Sequence, residues 1–348
     1  MRPPLRRLLS TAVLLLLAPL AACAAPAGDA TTIALLLPEA KTARYESVDR
    51  PSFEERLDEL GEFRVLYSNA DQDMGKQQAQ AEAALASGVQ VLVLDPVDAQ
   101  AAVSIVAAAN AQGVPVIAYD RLPAGGELAY YVSFDNEVIG KLQGAEFARA
   151  VGATPGDTGV LMVNGSPTDP NAREFEKGAR SRIDAAGLTV LASYQTPDWS
   201  PDQAQNWVAA QITRFGSRIV GVYAANDGTA GGAIAALKAA DVSPLPVVSG
   251  QDAELAGIQR IVGGDQYLTI YKPMRRQAEL AADAAAALVA GEPIEAETTV
   301  AGTPATILPA QVVTRDTILS TVVADGLYSV EEICTPSYAQ ACAEAGLR

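Results

Sequence analysis

The feature that most constrains this chain is an alternation. Short apolar runs recur between longer, alanine-rich amphipathic runs from residue 32 to residue 290. The short runs predict strands over 32–37, 63–67, 89–94, 114–119, 130–134, 158–163, 189–194, 219–224, 246–249 and 268–271. The runs between them predict helices over 75–86, 99–111, 139–151, 172–186, 201–215, 228–240, 254–262 and 275–290. Near-continuous Val/Ile/Leu runs belong to strands buried on both faces, which implies βαβ units and parallel sheets. This many strands exceeds one mononucleotide-sized half. The expected fold class is α/β, with two doubly wound parallel-sheet lobes and a seam near Phe134–Gly140.

The N-terminus stands outside that pattern. Arg2, Arg6 and Arg7 precede an apolar run over 8–20 that is too short to span a bilayer as a mature helix. Leu20-Ala21-Ala22-Cys23 closes it, the layout of an export signal processed at a cysteine. That tetrapeptide resembles the lipobox of bacterial lipoproteins. Residues 1–22 then form the signal peptide, Cys23 carries lipid, and 23–31 are anchor and linker. The expected location is extracytoplasmic, on the cell membrane.

Once 1–22 are removed, 22 basic residues face 41 acidic ones, a net charge of −19. Such a chain repels phosphate backbones and anionic lipid, so nucleic acid is excluded as a partner and membrane attachment falls to the anchor. Histidine is absent, which removes Ser-His-Asp triads, His-based zinc sites and most general-base chemistry. Neither a metal nor a cofactor is called for, and the chain reads as a non-enzyme. Cys334 and Cys342, eight positions apart in an oxidising compartment, are expected to form a disulfide that staples a tail over 334–348.

In open α/β sheets, ligands bind in the crevice outside the carboxyl ends of the strands. Polar groups crowd those ends here. Asp95 follows one run, Asp120 and Arg121 the next, and Asn164 with Asp169 and Asn171 a third. Asn226 and Asp227, then Gln251 and Asp252, then Lys272 close three more. An Asp or Asn after a strand commonly caps the following helix, and Asp95, Asp135, Asn136 and Asp227 are read that way. Arg121 and Lys272 are cations near the positive end of a helix, where caps are not cationic, so a polar ligand accounts for them better. Arg44, Arg121 and Lys272 balance Asp120, Asp169 and Asp252. Three charges of each sign suit a neutral ligand bearing many hydroxyls, since each hydroxyl donates to a carboxylate and accepts from a cation or amide. No Gly-x-Gly-x-x-Gly follows the first strand, which disfavours a dinucleotide. Trp199, in the exposed-looking loop Thr196-Pro-Asp-Trp-Ser-Pro201, is placed to stack on a sugar ring, with Tyr45 facing it from the other lobe. Trp207 is expected in the core.

These stretches carry a resemblance. Val-Leu-Val-Leu-Asp-Pro (91–96), Ala-Tyr-Asp-Arg (118–121), Tyr-Val-Ser-Phe-Asp-Asn-Glu (131–137), Gly-Ser-Pro-Thr-Asp-Pro-Asn-Ala (165–172), Asn-Asp-Gly-Thr-Ala-Gly-Gly-Ala-Ile (226–234), Ser-Gly-Gln-Asp-Ala-Glu-Leu-Ala-Gly-Ile (249–258) and Tyr-Lys-Pro (271–273) occur in order. Over about 32–330 the chain resembles the type I periplasmic sugar-binding proteins, of ribose/galactose type, and within them the D-xylose-binding subunits of ABC importers. The resemblance implies a monomeric receptor that captures a monosaccharide by lobe closure and delivers it to an ABC permease. It implies sugar contacts from Arg44, Asp120, Arg121, Asp169, Asn171, Trp199, Asn226, Asp252 and Lys272. It has a tryptophan where this chain has Tyr45. It also implies chain crossings between lobes near 138, 272 and 303. The N-terminal lobe is then 32–138 plus 273–303, and the C-terminal lobe 139–272 plus 304–333. A sensor presenting sugar to a membrane receptor or kinase would use the same site. A glycosidase is disfavoured, and so is a repressor, because an export signal stands where a DNA-binding helix-turn-helix is required.

Overall fold

The computed structural model describes residues 31–153 and 155–347. Residues 1–22, expected to be a signal peptide, and Cys23 lie outside the described residues. Strands β1 (Thr31–Leu37), β2 (Phe63–Asn69), β3 (Val91–Leu94), β4 (Val116–Tyr119) and β5 (Tyr130–Phe134) form a parallel sheet. Two late strands, β11 (Thr298–Val300) and β12 (Thr303–Leu308), extend one edge and give the order β11-β12-β5-β4-β3-β1-β2. Successive side chains of β1 serve opposite faces, as a pleated strand requires. Ile33, Leu35 and Leu37 pack with Phe53 and Leu57 of α1 (Arg50–Leu60) and with the alanines of α9 (Met274–Ala290). Ala34 and Leu36 pack instead with α2 (Met74–Ala86) and α3 (Ala102–Ala111).

The second sheet repeats the plan. Strands β6 (Gly159–Asn164), β7 (Val190–Gln195), β8 (Ile219–Ala224) and β9 (Val247–Val248) run parallel in the order β7-β6-β8-β9. The antiparallel pair β10 (Leu268–Tyr271) and β13 (Gln311–Thr314) continues it. Main-chain bonds from Tyr267 N to Val248 O (2.8 Å) and from Asp252 N to Ile270 O (2.9 Å) make the join. Val160 and Met162 face α4 (Asn136–Val151) and α5 (Pro170–Ala185). Leu161 and Val163 face α6 (Pro201–Phe215) and α7 (Asp227–Ala239). Helices α4 and α5 pack backbone to backbone, and Gly178 permits it, since a Cβ there would lie 2.2 Å from the Glu137 carbonyl oxygen. That contact fixes the N-terminus of α5, which carries Asp169 and Asn171.

The chain passes between the sheets after Phe134, after Tyr271 and after Leu308. The crossing expected near 303 therefore falls later. Thr303–Leu308 is a strand parallel to β5, with Ala305 opposite Tyr131, so the first sheet keeps the chain until Pro309. Strands β11, β12 and β13 were not expected from the sequence. They are short, threonine-rich and flanked or interrupted by proline, and they lack the apolar run that marks the others.

The C-terminal segment is not a loose tail. Cys334 and Cys342 are joined as a disulfide. With α10 (Val330–Ile333) and α11 (Ala339–Glu344), Cys342 and Leu347 pack against Ile258 and Ile261 of α8 (Leu255–Gly263) and against Tyr271.

Candidate functional site

The carboxyl ends of both sheets face one another across a narrow cleft. Its lining comprises Thr42, Arg44, Tyr45, Asp120 and Arg121 from the first sheet's side. Asp169, Asn171, Phe175, Trp199, Asn226, Gln251, Asp252 and Lys272 come from the second. Every ligand-binding residue expected from the sequence lies in this set. Thr42, Phe175 and Gln251 are additions. The side chains nearly fill the cleft, leaving about 20 Å³, room for about one water. A larger hollow of about 620 Å³ on the flank shares Asn171 with the cleft, but no comparable convergence of charged groups occurs there. The smaller cleft is therefore the candidate site.

Asp120 is its hub. It ends β4 in the left-handed region (φ 57°), which Asp tolerates better than most residues. Its main-chain oxygen accepts from Ser133 Oγ (2.6 Å) and Tyr131 Oη (3.1 Å), which holds the turn. Its carboxylate accepts from Arg44 Nη1 at 3.1 Å, from Tyr45 Oη at 3.4 Å and, from the other sheet, from Asn171 Nδ2 at 3.3 Å. Burial alone would raise this carboxyl, but the charges of Arg44, Lys272 and Arg121 outweigh it and hold Asp120 below the ordinary range.

The other charges pair across or along the cleft. Arg121 Nε lies 2.9 Å from Asp169 Oδ2, a contact between the two sheets. Lys272 Nζ lies 2.7 Å from Asp252 Oδ1, between the rings of Phe134 and Phe175 at 5.4 and 5.5 Å. Asp169 Oδ1 also caps α5 by accepting from Asn171 N at 2.8 Å. Its Oδ2 accepts from Trp199 Nε1 at 3.0 Å, so three functions converge on one carboxylate. Burial raises Asp169 despite Arg121.

Trp199 is buried, not exposed as its loop composition implied. It sits at φ 53°, and its indole covers Gly165 so closely that a Cβ there would lie 2.1 Å from Cη2. Trp207 is half-buried and stacks on Tyr194 (5.2 Å, 8°). Tyr45 has the guanidinium of Arg44 over its ring at 5.2 Å, and Arg121 Nη2 donates to its hydroxyl at 3.3 Å.

Two further expectations differ in part from what the structure shows. The first concerns helix caps. Asp135 caps α4 by accepting from Val138 N, so Asn136 is already inside the helix. Asn226 caps α7, with Oδ1 2.8 Å from Thr229 N. Asp227 is thus the first helical residue, and its carboxylate instead accepts from Gln266, Thr269 and Glu254 N. Asp95 caps nothing, since the next helix starts at Ala102.

The second concerns charge. Three further carboxyls lie behind the cleft, all with side chains essentially out of solvent: Glu39, Asp49 and Asp95. Asp49 grips Arg44 through Nε (2.9 Å) and Nη2 (2.5 Å), and Gln277 of α9 takes Nη2 as well at 2.7 Å. Asp95 Oδ1 lies 3.6 Å from Arg121 Nε. The cleft lining itself holds three charges of each sign, as expected, and the acid excess of the buried cluster lies behind it. Burial pushes Asp95 well above and Glu39 above the carboxylate range, which limits the charge the cluster carries.

The chain matches the family model described as "Periplasmic binding protein domain" over residues 33–293. It is 34% identical over 309 residues to a D-xylose-binding periplasmic protein of Haemophilus influenzae, covering 86% of this chain and 91% of that one. A protein of the same description from Escherichia coli is 33% identical over 309 residues, covering 86% and 92%. Among solved structures, a carbohydrate-transporter solute-binding protein of Chloroflexus aurantiacus in complex with D-glucose superposes with a TM-score of 0.80 at 28% identity. It covers 87% of this chain and 98% of that one.

Proposed function

The chain belongs to the periplasmic binding protein family, and on that premise we propose that it closes around a free monosaccharide outside the cytoplasm and delivers it to an ABC importer. It is a solute-binding protein and not an enzyme. One observation carries the choice of ligand. Among the described residues, the cleft-lining atoms that are fully out of solvent and make no hydrogen bond are oxygens, Gln251 Oε1 and Asp252 Oδ1, the latter held only as an ion pair. A ligand that satisfies them must donate. A polyol donates and also accepts from Arg44, Arg121, Asn171 and Lys272, whereas a phosphate or carboxylate only accepts.

D-Xylose is the proposed sugar. The two relatives described as D-xylose-binding support it. The indole of Trp199 supplies an apolar face for the ring. Arg44, Tyr45, Asp120 and Arg121 bind from one lobe. Asp169, Asn171, Asn226, Asp252 and Lys272 bind from the other. Closure brings the two sets together, and sugar shifts the population toward the closed form because that form completes the hydrogen bonds. A sugar lacking one hydroxyl strands a buried partner, at a cost of about 1–3 kcal/mol.

The lobes are proposed as 32–134 plus 273–308 and 136–272 plus 310–347. Attachment to the membrane is proposed through lipid on Cys23, and Cys23→Ser should release the protein into the soluble fraction. Retention of that variant on membranes would refute the anchor.

The direct test is a thermal-shift screen of pentoses and hexoses followed by calorimetry, because a ligand that binds only the folded state raises the melting temperature. D-Xylose should give the largest shift. If no monosaccharide moves the transition, the reading is wrong.

A further inference from the structure

Arg121 has two carboxylates competing for one nitrogen. Its Nε lies 2.9 Å from Asp169 Oδ2, which is carried by α5 on the second sheet. The same Nε lies 3.6 Å from Asp95 Oδ1, beyond hydrogen-bond length. Asp95 follows β3, the neighbour of β4 in the first sheet, with Leu94 opposite Ala118, so Asp95 and Arg121 move as one body. The Asp95 main-chain oxygen is anchored by Gln77 Nε2 at 2.8 Å. Its side chain has no solvent exposure, and neither carboxylate oxygen accepts a hydrogen bond. A buried carboxylate with no donor is costly and calls for a cause.

We propose that Arg121 exchanges partners as the lobes part: Asp169 leaves with the second lobe, and Nε turns to Asp95. This rests on the proposed closure of the lobes around a sugar. The guanidinium is then paired with a carboxylate in both states. In the closed state Asp95 also faces the carboxylates of Asp120 and Asp169, which oppose its charge. Withdrawal of Asp169 relieves one of them. Asp95 does not line the cleft, so it acts through Arg121 as a positioning residue. It sets the balance between open and closed forms, not the choice of sugar.

Asp95→Asn keeps the shape and removes the charge. The open form loses its ion pair, while the closed form keeps Arg121–Asp169. Small-angle scattering of the purified protein without sugar should therefore show a smaller radius of gyration than wild type. Apparent affinity for D-xylose should tighten by about three- to tenfold through slower release, because a larger fraction is binding-competent. The ratio of xylose to ribose affinity should not change. Asp95→Ser, which removes the charge with a smaller side chain, must move both readings the same way. Asp169→Asn must move the scattering the opposite way. An unchanged radius, or weaker binding in folded Asp95 variants, overturns the exchange. Scattering needs no ligand, so a wild type that binds no monosaccharide would refute the sugar assignment while the exchange is still read.

Discussion

Asp252→Asn isolates one ion pair of the cleft and allows its energetics to be worked through. Asp252 stands at φ 90°, a conformation that asparagine accepts about as readily as aspartate, so the substitution removes charge without adding backbone strain. The side chains of Lys272 and Asp252 are 4% and 5% exposed, and Nζ lies 2.7 Å from Oδ1. Solvent screening is therefore weak. The Phe134 and Phe175 rings that flank the ammonium cannot replace a carboxylate, because such contacts contribute only about 1–2 kcal/mol. Breaking a buried pair by neutralising one partner costs about 3–5 kcal/mol. Urea unfolding should show a loss of that order at an unchanged slope. Adding Lys272→Met removes the stranded ammonium and should recover most of the loss, since apolar replacement of a whole buried pair is close to neutral. Sugar binding should not recover, because both polar groups are gone. Calorimetry should show xylose affinity at least about tenfold weaker in each variant, the equivalent of about 1.4 kcal/mol. A loss below about 1 kcal/mol, or a double variant no more stable than the single one, would refute the argument that buried Lys272 depends on its ion pair with Asp252.

Gly165→Ala drives a methyl into the Trp199 indole at 2.1 Å and should break the Nε1–Asp169 bond. The expected results are about 1–3 kcal/mol of lost stability, red-shifted tryptophan emission and weakened sugar binding; wild-type emission and affinity would contradict it. Burial pushes Asp227 up to about 7 and its neighbour Glu254 up to about 8. Both bind protons more tightly folded than unfolded, where carboxyls titrate near pH 4. Their contribution is thus complete below about pH 4 and is lost as pH rises through 7 and 8. Denaturation midpoints should fall between pH 5 and pH 8, Asp227→Asn should flatten that fall, and a midpoint that rises over this range would count against the assignment. Cys342→Ser opens a short loop worth about 2–3 kcal/mol in chain entropy. Limited proteolysis should then clip near residue 334, and unaltered resistance would mean that the packing of Ile333 and Leu347 suffices.

Much of the cleft was legible because strand ends are local features. The apolar runs at 91–94, 116–119, 219–224 and 268–271 locate the ends of β3, β4, β8 and β10 to within a residue or two; the ends of β4, β8 and β10 deliver Asp120 and Arg121, Asn226 and Lys272 to the crevice, while Asp95 after β3 stays behind it. The same locality explains the misses. A one-residue shift in where α7 begins exchanges the roles of Asn226 and Asp227, and element boundaries are the least certain feature of a sequence pattern. The strands of 298–314 are polar and short, so pairing partners define them and composition does not.

Patterning alone determined the two-sheet α/β architecture, the acidic surface without histidine and the ring of polar residues around the crevice, because each depends on neighbours a few positions apart. Tertiary structure decided who pairs with whom. Arg44 meets Gln277 across 233 positions, Arg121 meets Asp169 only where the two sheets approach, and Glu39, Asp49 and Asp95 join them from behind the cleft. The physical reason is desolvation. A carboxylate at a strand end reads the same in sequence whether it faces water or a guanidinium, and only the folded chain removes the water and makes the partner matter.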